Sequence, residues 1–260
     1  MDYLDFQAYV GITKHNGGLR ATRELLSLCH IDEAKEVLNV GCGIGVTSAY
    51  IARRYGCRVV NVDIDERMIE WARRRAREAK VEDRVEFRVA DVLDLPFEPD
   101  RFDVVFSESV LIFVDDKPAA IAECVRVTRP GGHVGLSESC WLADRMRDVV
   151  AQMHVLGLDA DVPTAAEWRA LWASSGLEDR VVRLRHVDTR REIRDRIEWV
   201  GPRWALRGFG RGLLLYLRDP TARGMLREYF TAPSIQLMSK LGYGIFAGRK
   251  ENLGIAPTIG

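Results

Sequence analysis

The stretch VLNVGCGIGVTSAYIARRYGCRVVNVDID, Val37 to Asp65, decides the fold. With Glu36 it opens on EVLNV, a short apolar run of the kind that forms a strand buried on both faces. Gly41, Gly43 and Gly45 then leave the main chain bare. VTSAYIARRYG follows as a helix that Gly56 stops as a left-handed cap. RVVNVD is a second strand, and Asp63 ends it. Strand, glycine turn, helix and strand make a βαβ unit, which places the two strands parallel.

The alternation continues outward. ERMIEWARRRAREAK is an amphipathic helix with Met68, Ile69, Trp71 and Ala72 inward and its arginines outward. RVEFRVAD alternates as a third strand and RFDVVFSES is the fourth. KPAAIAECVRVT is a helix stopped by RPGG, a turn by proline and glycine chemistry. HVGLSES is the fifth strand. Upstream, GGLRATRELLSLCH is a helix with Leu19, Thr22, Leu25, Leu26 and Cys29 on one face. Downstream, Thr164 and Glu167 form a capping box. A helix, a stop at Gly176 and a sixth strand follow, and YGIFAGRK closes as an edge strand. The fold class expected is α/β: a doubly wound, mostly parallel seven-stranded sheet, Rossmann-like, with a helical insert before the last strand. Residues 1–30 form an N-terminal lid helix, 31–187 the core, 188–240 a helical cap insert, and 241–260 a closing strand and tail.

Composition narrows the function. The 260 residues are 47% apolar and carry zero formal charge, which disfavours nucleic acid as a partner. Five cysteines show no CxxC and no metal spacing, so no metal site is expected and a reducing, cytoplasmic setting fits. The acidic start MDYLDFQAYVG lacks the apolar run of a signal peptide. No stretch of about 20 apolar residues exists to span a bilayer.

In doubly wound sheets, ligands bind beyond the carboxyl ends of the strands. Those ends carry Gly41–Gly45, Asp63, Asp91, Ser107–Ser109 and Ser137–Ser139. Bare backbone at a helix start admits a ligand closely. Asp63 is placed to accept both hydroxyls of a ribose, although the same residues also read as a tight turn with a capping acid. Asp91, followed by Val92, Leu93 and Leu95, suits an adenine edge and face, and an Asp there also starts a turn. Val46 and Thr47 follow Gly45, so the pyrophosphate pattern G-x-G-x-x-G is broken.

Taken in order, VLNVGCGIG, VVNVDID with MIEWAR, RVADVLDLPF, FDVVFSESVLIFV and RVTRPGGHVGLSE resemble the class I S-adenosyl-L-methionine (SAM)-dependent methyltransferases, from Asp32 to Glu138. The resemblance implies SAM as cofactor and S-adenosyl-L-homocysteine as product. Gly41, Gly43 and Gly45 would approach the methionine part, Asp63 the ribose, Asp91 the adenine amino group and Val92 the ring, with Cys42, Ile64 and Ser107 beside them. Asn39 stands where the family usually has an acid near the cofactor amine. A narrower resemblance lies in YVGITKHNGGLRATRELL, similar to the opening segment of sterol-, tocopherol- and phosphoethanolamine-type small-molecule methyltransferases. It implies Tyr9, His15, Asn16, Gly17 and Gly18 over the cofactor. The same residues also read as a terminal helix with Asn16 as its N-cap, which accounts for His15 without a functional role. The phosphoethanolamine enzymes' histidine would fall near Phe113, which speaks against phosphoethanolamine itself.

Methyl transfer is an in-line displacement, so alignment matters most and is worth roughly 7–11 kcal/mol in the best cases. Phe6, Tyr9, Phe113 and Trp141 are candidate pocket walls or plain core. Glu108 and Glu138 follow the fourth and fifth strands as candidate bases or partners for a cationic acceptor; each also reads as an exposed loop carboxylate. With no [DN]-P-P-[FY] after the fourth strand, a small-molecule, lipid-like acceptor is expected. EWVGPRWALRGFGRGLLLYLRD contains residues 199–218, which are expected either to touch a membrane peripherally or to cap the pocket or a second subunit, their glycines weakening a continuous helix. Monomer and homodimer stay open. So do two other functions: a non-catalytic SAM-binding protein, and an NAD(P)-dependent oxidoreductase, which the missing Tyr-x-x-x-Lys opposes.

Overall fold

A computed structural model describes residues 3–11, 15–143, 160–187, 200–229 and 241–252. Its sheet has seven strands: β1 (Glu36–Val40), β2 (Arg58–Asp63), β3 (Val85–Val89), β4 (Phe102–Glu108), β5 (Thr128–Trp141), β6 (Glu178–His186) and β7 (Leu241–Arg249). They lie in the order β3-β2-β1-β4-β5-β7-β6. The first five pair in parallel, and β7 runs antiparallel to both β5 and β6. The chain thus leaves β1 toward β2 on one side and β4 on the other. That reversal opens the crevice above the carboxyl ends of β1 and β4.

Helices cover both faces. On one lie α2 (Gly18–Leu28), α3 (Val46–Tyr55) and α4 (Glu66–Ala79). Leu25, Leu26 and Ile51 pack there on Val37, Val104 and Phe106. On the other lie α5 (Lys117–Val127) and α6 (Ala165–Ala173), where Ile121, Trp168 and Trp172 pack on Leu136 and Phe246. Two caps follow the sequence, Gly56 as a left-handed residue and Thr164 with Glu167 as a capping box. By contrast, α4 is capped by Asp65, which accepts from the Arg67 N–H, rather than by Asp63, and α2 starts at Gly17 without a side-chain cap from Asn16.

Three expectations change. YGIFAGRK is an interior strand, since β7 is inserted between β5 and β6 and buried along almost its whole length. RPGG lies within β5, where pairing jumps from Phe102↔Thr128 to Val104↔His133, so the extra residues bulge inside the ladder. Arg75 of α4 points inward, because the insert covers it.

The N-terminal helix α1 (Tyr3–Val10) and the insert helices α7 (Pro202–Arg218) and α8 (Pro220–Tyr229) form a separate layer. The helix α7 is continuous through Gly208, Gly210 and Gly212. Packing overrides propensity there: Gly208 is buried, and a Cβ on Gly212 would just touch Val10 and Phe6 of α1. Trp204 donates to Gly11 O at 2.7 Å and Arg211 to Val10 O at 2.6 and 2.9 Å. The Arg75 guanidinium lies 3.9 Å from the Trp204 ring centre and donates to Val200 O. Burial lowers its pKa to about 10. Trp199 and the rest of 188–199 and 230–240 lie outside the described residues, as do His154 and the tail beyond 252.

The Gly-Gly step at the start of α2 makes a sharp test. Gly17 sits at φ 84°, and a Cβ there would stand 2.6 Å from Ala21 Cβ and from the Tyr243 ring. Gly18 sits at φ 49° in open space. Gly17→Ala should cost roughly 2–4 kcal/mol, from backbone strain plus overpacking, and Gly18→Ala about 1–2 kcal/mol from backbone strain alone. Urea unfolding of both variants checks the order; equal midpoints would show that Gly17 is not packed against Tyr243.

Candidate active site

The glycine turn joins β1 to α3. Gly41, Gly43 and Gly45 have φ of 68°, 52° and 73°, the region that side chains disfavour. A Cβ on Gly41 would run into Val110, and one on Gly45 would lie 2.9 Å from Ala72 Cβ. Cys42 turns its side chain down onto Ile69 and Ala72, where burial pushes the thiol well up, and its N–H donates to Val62 O. Ile44 is fully buried against Met68, Val200 and Trp204. The turn therefore presents backbone upward while its two long side chains anchor it below.

Asp63 faces this turn. Its Oδ2 accepts from the Gly43 N–H at 2.8 Å and its Oδ1 from the Asp65 N–H at 3.0 Å. Burial raises its pKa and the two amides oppose that rise. Each carboxylate oxygen keeps further acceptor capacity, which two neighbouring hydroxyls can use. Beside it the Ile64 side chain is exposed. At the end of β3, Asp91 is exposed and accepts from the Leu93 N–H at 2.9 Å, so it does start a turn. Leu93 is also exposed, whereas Val92 packs into the core. Ile64 and Leu93 are thus the exposed apolar side chains after these two strands, and the Val92 side chain is turned into the core.

Asn39 lies buried beneath the turn and donates to Ser48 Oγ at 3.0 Å. Ser48 in turn donates to Asn61, which donates to Val59 O and Glu86 O. The amide is engaged in a chain across β1, α3 and β2. Ser107 is fully buried, and its hydroxyl has no partner among the described residues.

Glu108, the last residue of β4, is not an exposed loop carboxylate. Its side chain is 7% exposed. Thr22 of α2 donates to Oε1 at 2.6 Å and Thr47 of α3 to Oε2 at 2.7 Å. His15 Nε2 stands 3.1 Å from Thr22 Oγ1 and 3.7 Å from Oε1. A carboxylate only accepts, so with Glu108 in that form the single Thr22 proton goes to it and His15 Nε2 must be a donor. Asn16 extends the line by donating to Ser139 Oγ at 2.8 Å. Sequence reasoning misses Thr22 and Thr47 as site residues. The available signal is a threonine on the apolar stripe of α2, a position where a polar group needs a partner. Tyr9 is exposed on α1, and no hydrogen bond among the described residues links it to this group. Phe113 is partly exposed on a short 3-10 helix, and Trp141 is core.

Glu138 lies inside β5, fully buried. Its Oε1 accepts from the Val110 and Leu111 N–H groups, both at 3.1 Å, and braces the loop after β4. It too is no exposed loop carboxylate. Its Oε2 has no partner among the described residues. Burial pushes it up to about 7, against the pull of those amides and of Lys117. His133 sits at the far end of β5 beside His30, away from the rim.

Residues 38–136 match the methyltransferase-domain family. Over this stretch the chain is similar to methyltransferase domains. Methyltransferase GfsG of Streptomyces halstedii is 35% identical over 121 residues, which are 46% of this chain and 44% of that protein. The chain spans less than half the length of the curated relatives it matches over this stretch. Phosphoethanolamine N-methyltransferase 2 of Haemonchus contortus, solved with SAM, superposes with a TM-score of 0.74 at 19% identity, over 95% of this chain and 57% of that one. The [4+2]-cyclase SpnF superposes with a TM-score of 0.70 at 20% identity, over 95% and 92%. The last two likenesses establish the fold.

Glu138 gives a pH test. Its folded pKa of about 7 lies above the ordinary 4.5, so the folded protein binds the extra proton between those values. Its contribution to stability is full below pH 4.5 and is lost as pH rises through 7. Glu138→Gln keeps an acceptor for both amides and cannot titrate. The variant should lose a stability decline of about 3 kcal/mol between those limits. Denaturation midpoints of both proteins across that pH range check this; parallel curves would show that Glu138 titrates normally.

Proposed function

We propose that this protein is an SAM-dependent methyltransferase acting on a small, amphiphilic acceptor. The observation that carries the proposal is the pairing of bare backbone at Gly41–Gly45 with Asp63, whose two oxygens each hold one amide and keep room for one hydroxyl. That donor and acceptor set fits an adenosyl group with an amino-acid tail. The turn's backbone would hold the tail and Asp63 the ribose. Ile64 and Leu93 would flank the base, with Asp91 at its edge. What SAM supplies when bound is an activated methyl on a sulfonium sulfur, leaving S-adenosyl-L-homocysteine.

The acceptor side is read from Glu108. Held by Thr22 and Thr47 and neighboured by His15, its carboxylate is fixed in place beside the glycine turn. It is positioned to take a proton from an acceptor hydroxyl or amine, or to balance a cationic one. Phe113, partly open two residues beyond Leu111, supports an apolar body on the same molecule. The N-terminal segment closes over this group through His15 and Asn16, which excludes water from the transfer.

A second reading, that the protein holds SAM without transferring its methyl, rests on Asn39, whose amide is engaged with Ser48. Incubation with methyl-labelled SAM and extractable metabolites separates the two: label in small amphiphiles supports transfer, and SAM binding without label across several extracts supports the binder. Asp63→Ala should weaken SAM at least about tenfold, as expected for losing hydrogen bonds to a charged group, with the melting curve retained. Calorimetry showing unchanged affinity, or binding of NADH alone, would overturn the proposal.

A further inference from the structure

The outer face of α7 is apolar and open. Leu206, Phe209, Leu213 and Leu217 recur at steps of three and four and are 73, 70, 47 and 61% exposed, with Leu214 beside them at 47%. The opposite face, through Trp204, Gly208 and Leu215, is buried against the protein. The exposed stripe runs from Leu206 to Leu217 of this 17-residue helix, about 17 Å at 1.5 Å per residue. The helix contains no Asp or Glu and four arginines: Arg203, Arg207, Arg211 and Arg218. Arg211 holds α1 and Arg207 pairs with Glu78 of α4, while Arg203 and Arg218 are exposed at the two ends.

We infer that α7 docks on an anionic lipid surface, lying in its plane with the leucines and Phe209 among the acyl chains. An apolar face bordered by arginines and low in net hydrophobicity is the pattern of an interfacial helix. The arginine stems reach outward to lipid phosphates. Charge decides against a second copy of the same helix. An antiparallel pair sets Arg203 of one helix near Arg218 of the other, a parallel pair sets each against itself, and α7 has no carboxylate to offset either. The helix needs no lipid to form, because its inner face already packs on α1, Arg75 and Ile44. Docking stands on this face alone. Its use rests on the acceptor reading above: it would bring the lid and the rim beneath it to the bilayer, where an amphiphile is most concentrated.

Co-sedimentation with phosphatidylcholine vesicles, with and without roughly one-third phosphatidylglycerol, tests this. The full chain should pellet with the anionic vesicles and much less with the neutral ones. Phe209→Glu with Leu213→Glu should lower the bound fraction at least about tenfold, and Arg203→Glu with Arg218→Glu severalfold. SAM affinity and melting temperature, unchanged in both variants, would show that they fold. Three results overturn the inference: no pelleting with anionic vesicles, equal pelleting of the F209E/L213E double variant and the parent, or a stable dimer by light scattering that this double variant splits.

Discussion

The site depends on one contact across two loops, the Gly43 N–H held by the Asp63 carboxylate. It ties the turn after β1 to the end of β2, adjacent strands that deliver these residues to the same rim. The carboxylate thereby stays oriented although burial works against its charge. The amide fixes the peptide that follows Cys42, so the backbone of the turn is set before any ligand arrives. Preorganisation of this kind reduces the cost of binding, since neither partner must be ordered at that moment.

A second clasp orders the other half of the rim. Glu108 gathers a hydroxyl from α2 and another from α3, and so joins α2 to the helix that starts at the glycine turn. Truncating one member would leave the others with buried, unpaired groups, the costly outcome for a polar network at low dielectric. One strand over, Glu138 braces the loop after β4 by accepting two amides. Two carboxylates on neighbouring strands thus have different surroundings, one satisfied by side chains at the rim and one buried beneath a loop.

Much of this was legible in the sequence because the βαβ pattern is written in local signals. Gly41 to Gly45, the cap at Gly56, the capping box at Thr164 and the acids ending their strands each follow from short-range chemistry. What was not legible depends on long-range packing. YGIFAGRK looks the same as an edge or an interior strand, since its partners β5 and β6 lie far away in sequence. Arg75 reads as one more outward arginine until Trp204, 129 positions later, covers it. The threonines that hold Glu108 come from helices before and after β1, and no spacing rule links positions 22, 47 and 108. Gly208, Gly210 and Gly212 argue against a helix by propensity, and the helix forms because its inner face, through Trp204, Gly208 and Leu215, is buried against the rest of the protein.

Ile44 carries a consequence of its own. The larger of the turn's two side chains rests on Val200 and Trp204, which belong to the stretch between β6 and β7. The floor under the glycine turn is therefore partly built from the insert that the sequence offers as a cap over the pocket. Evolution of a new acceptor preference by remodelling that stretch would not be free to change Val200 or Trp204, and a graft from a distant homologue that lost them would unsettle the turn as well as the lid. Under the function proposed above, selectivity and donor affinity would be joined through this patch of hydrocarbon contact and would drift together rather than independently.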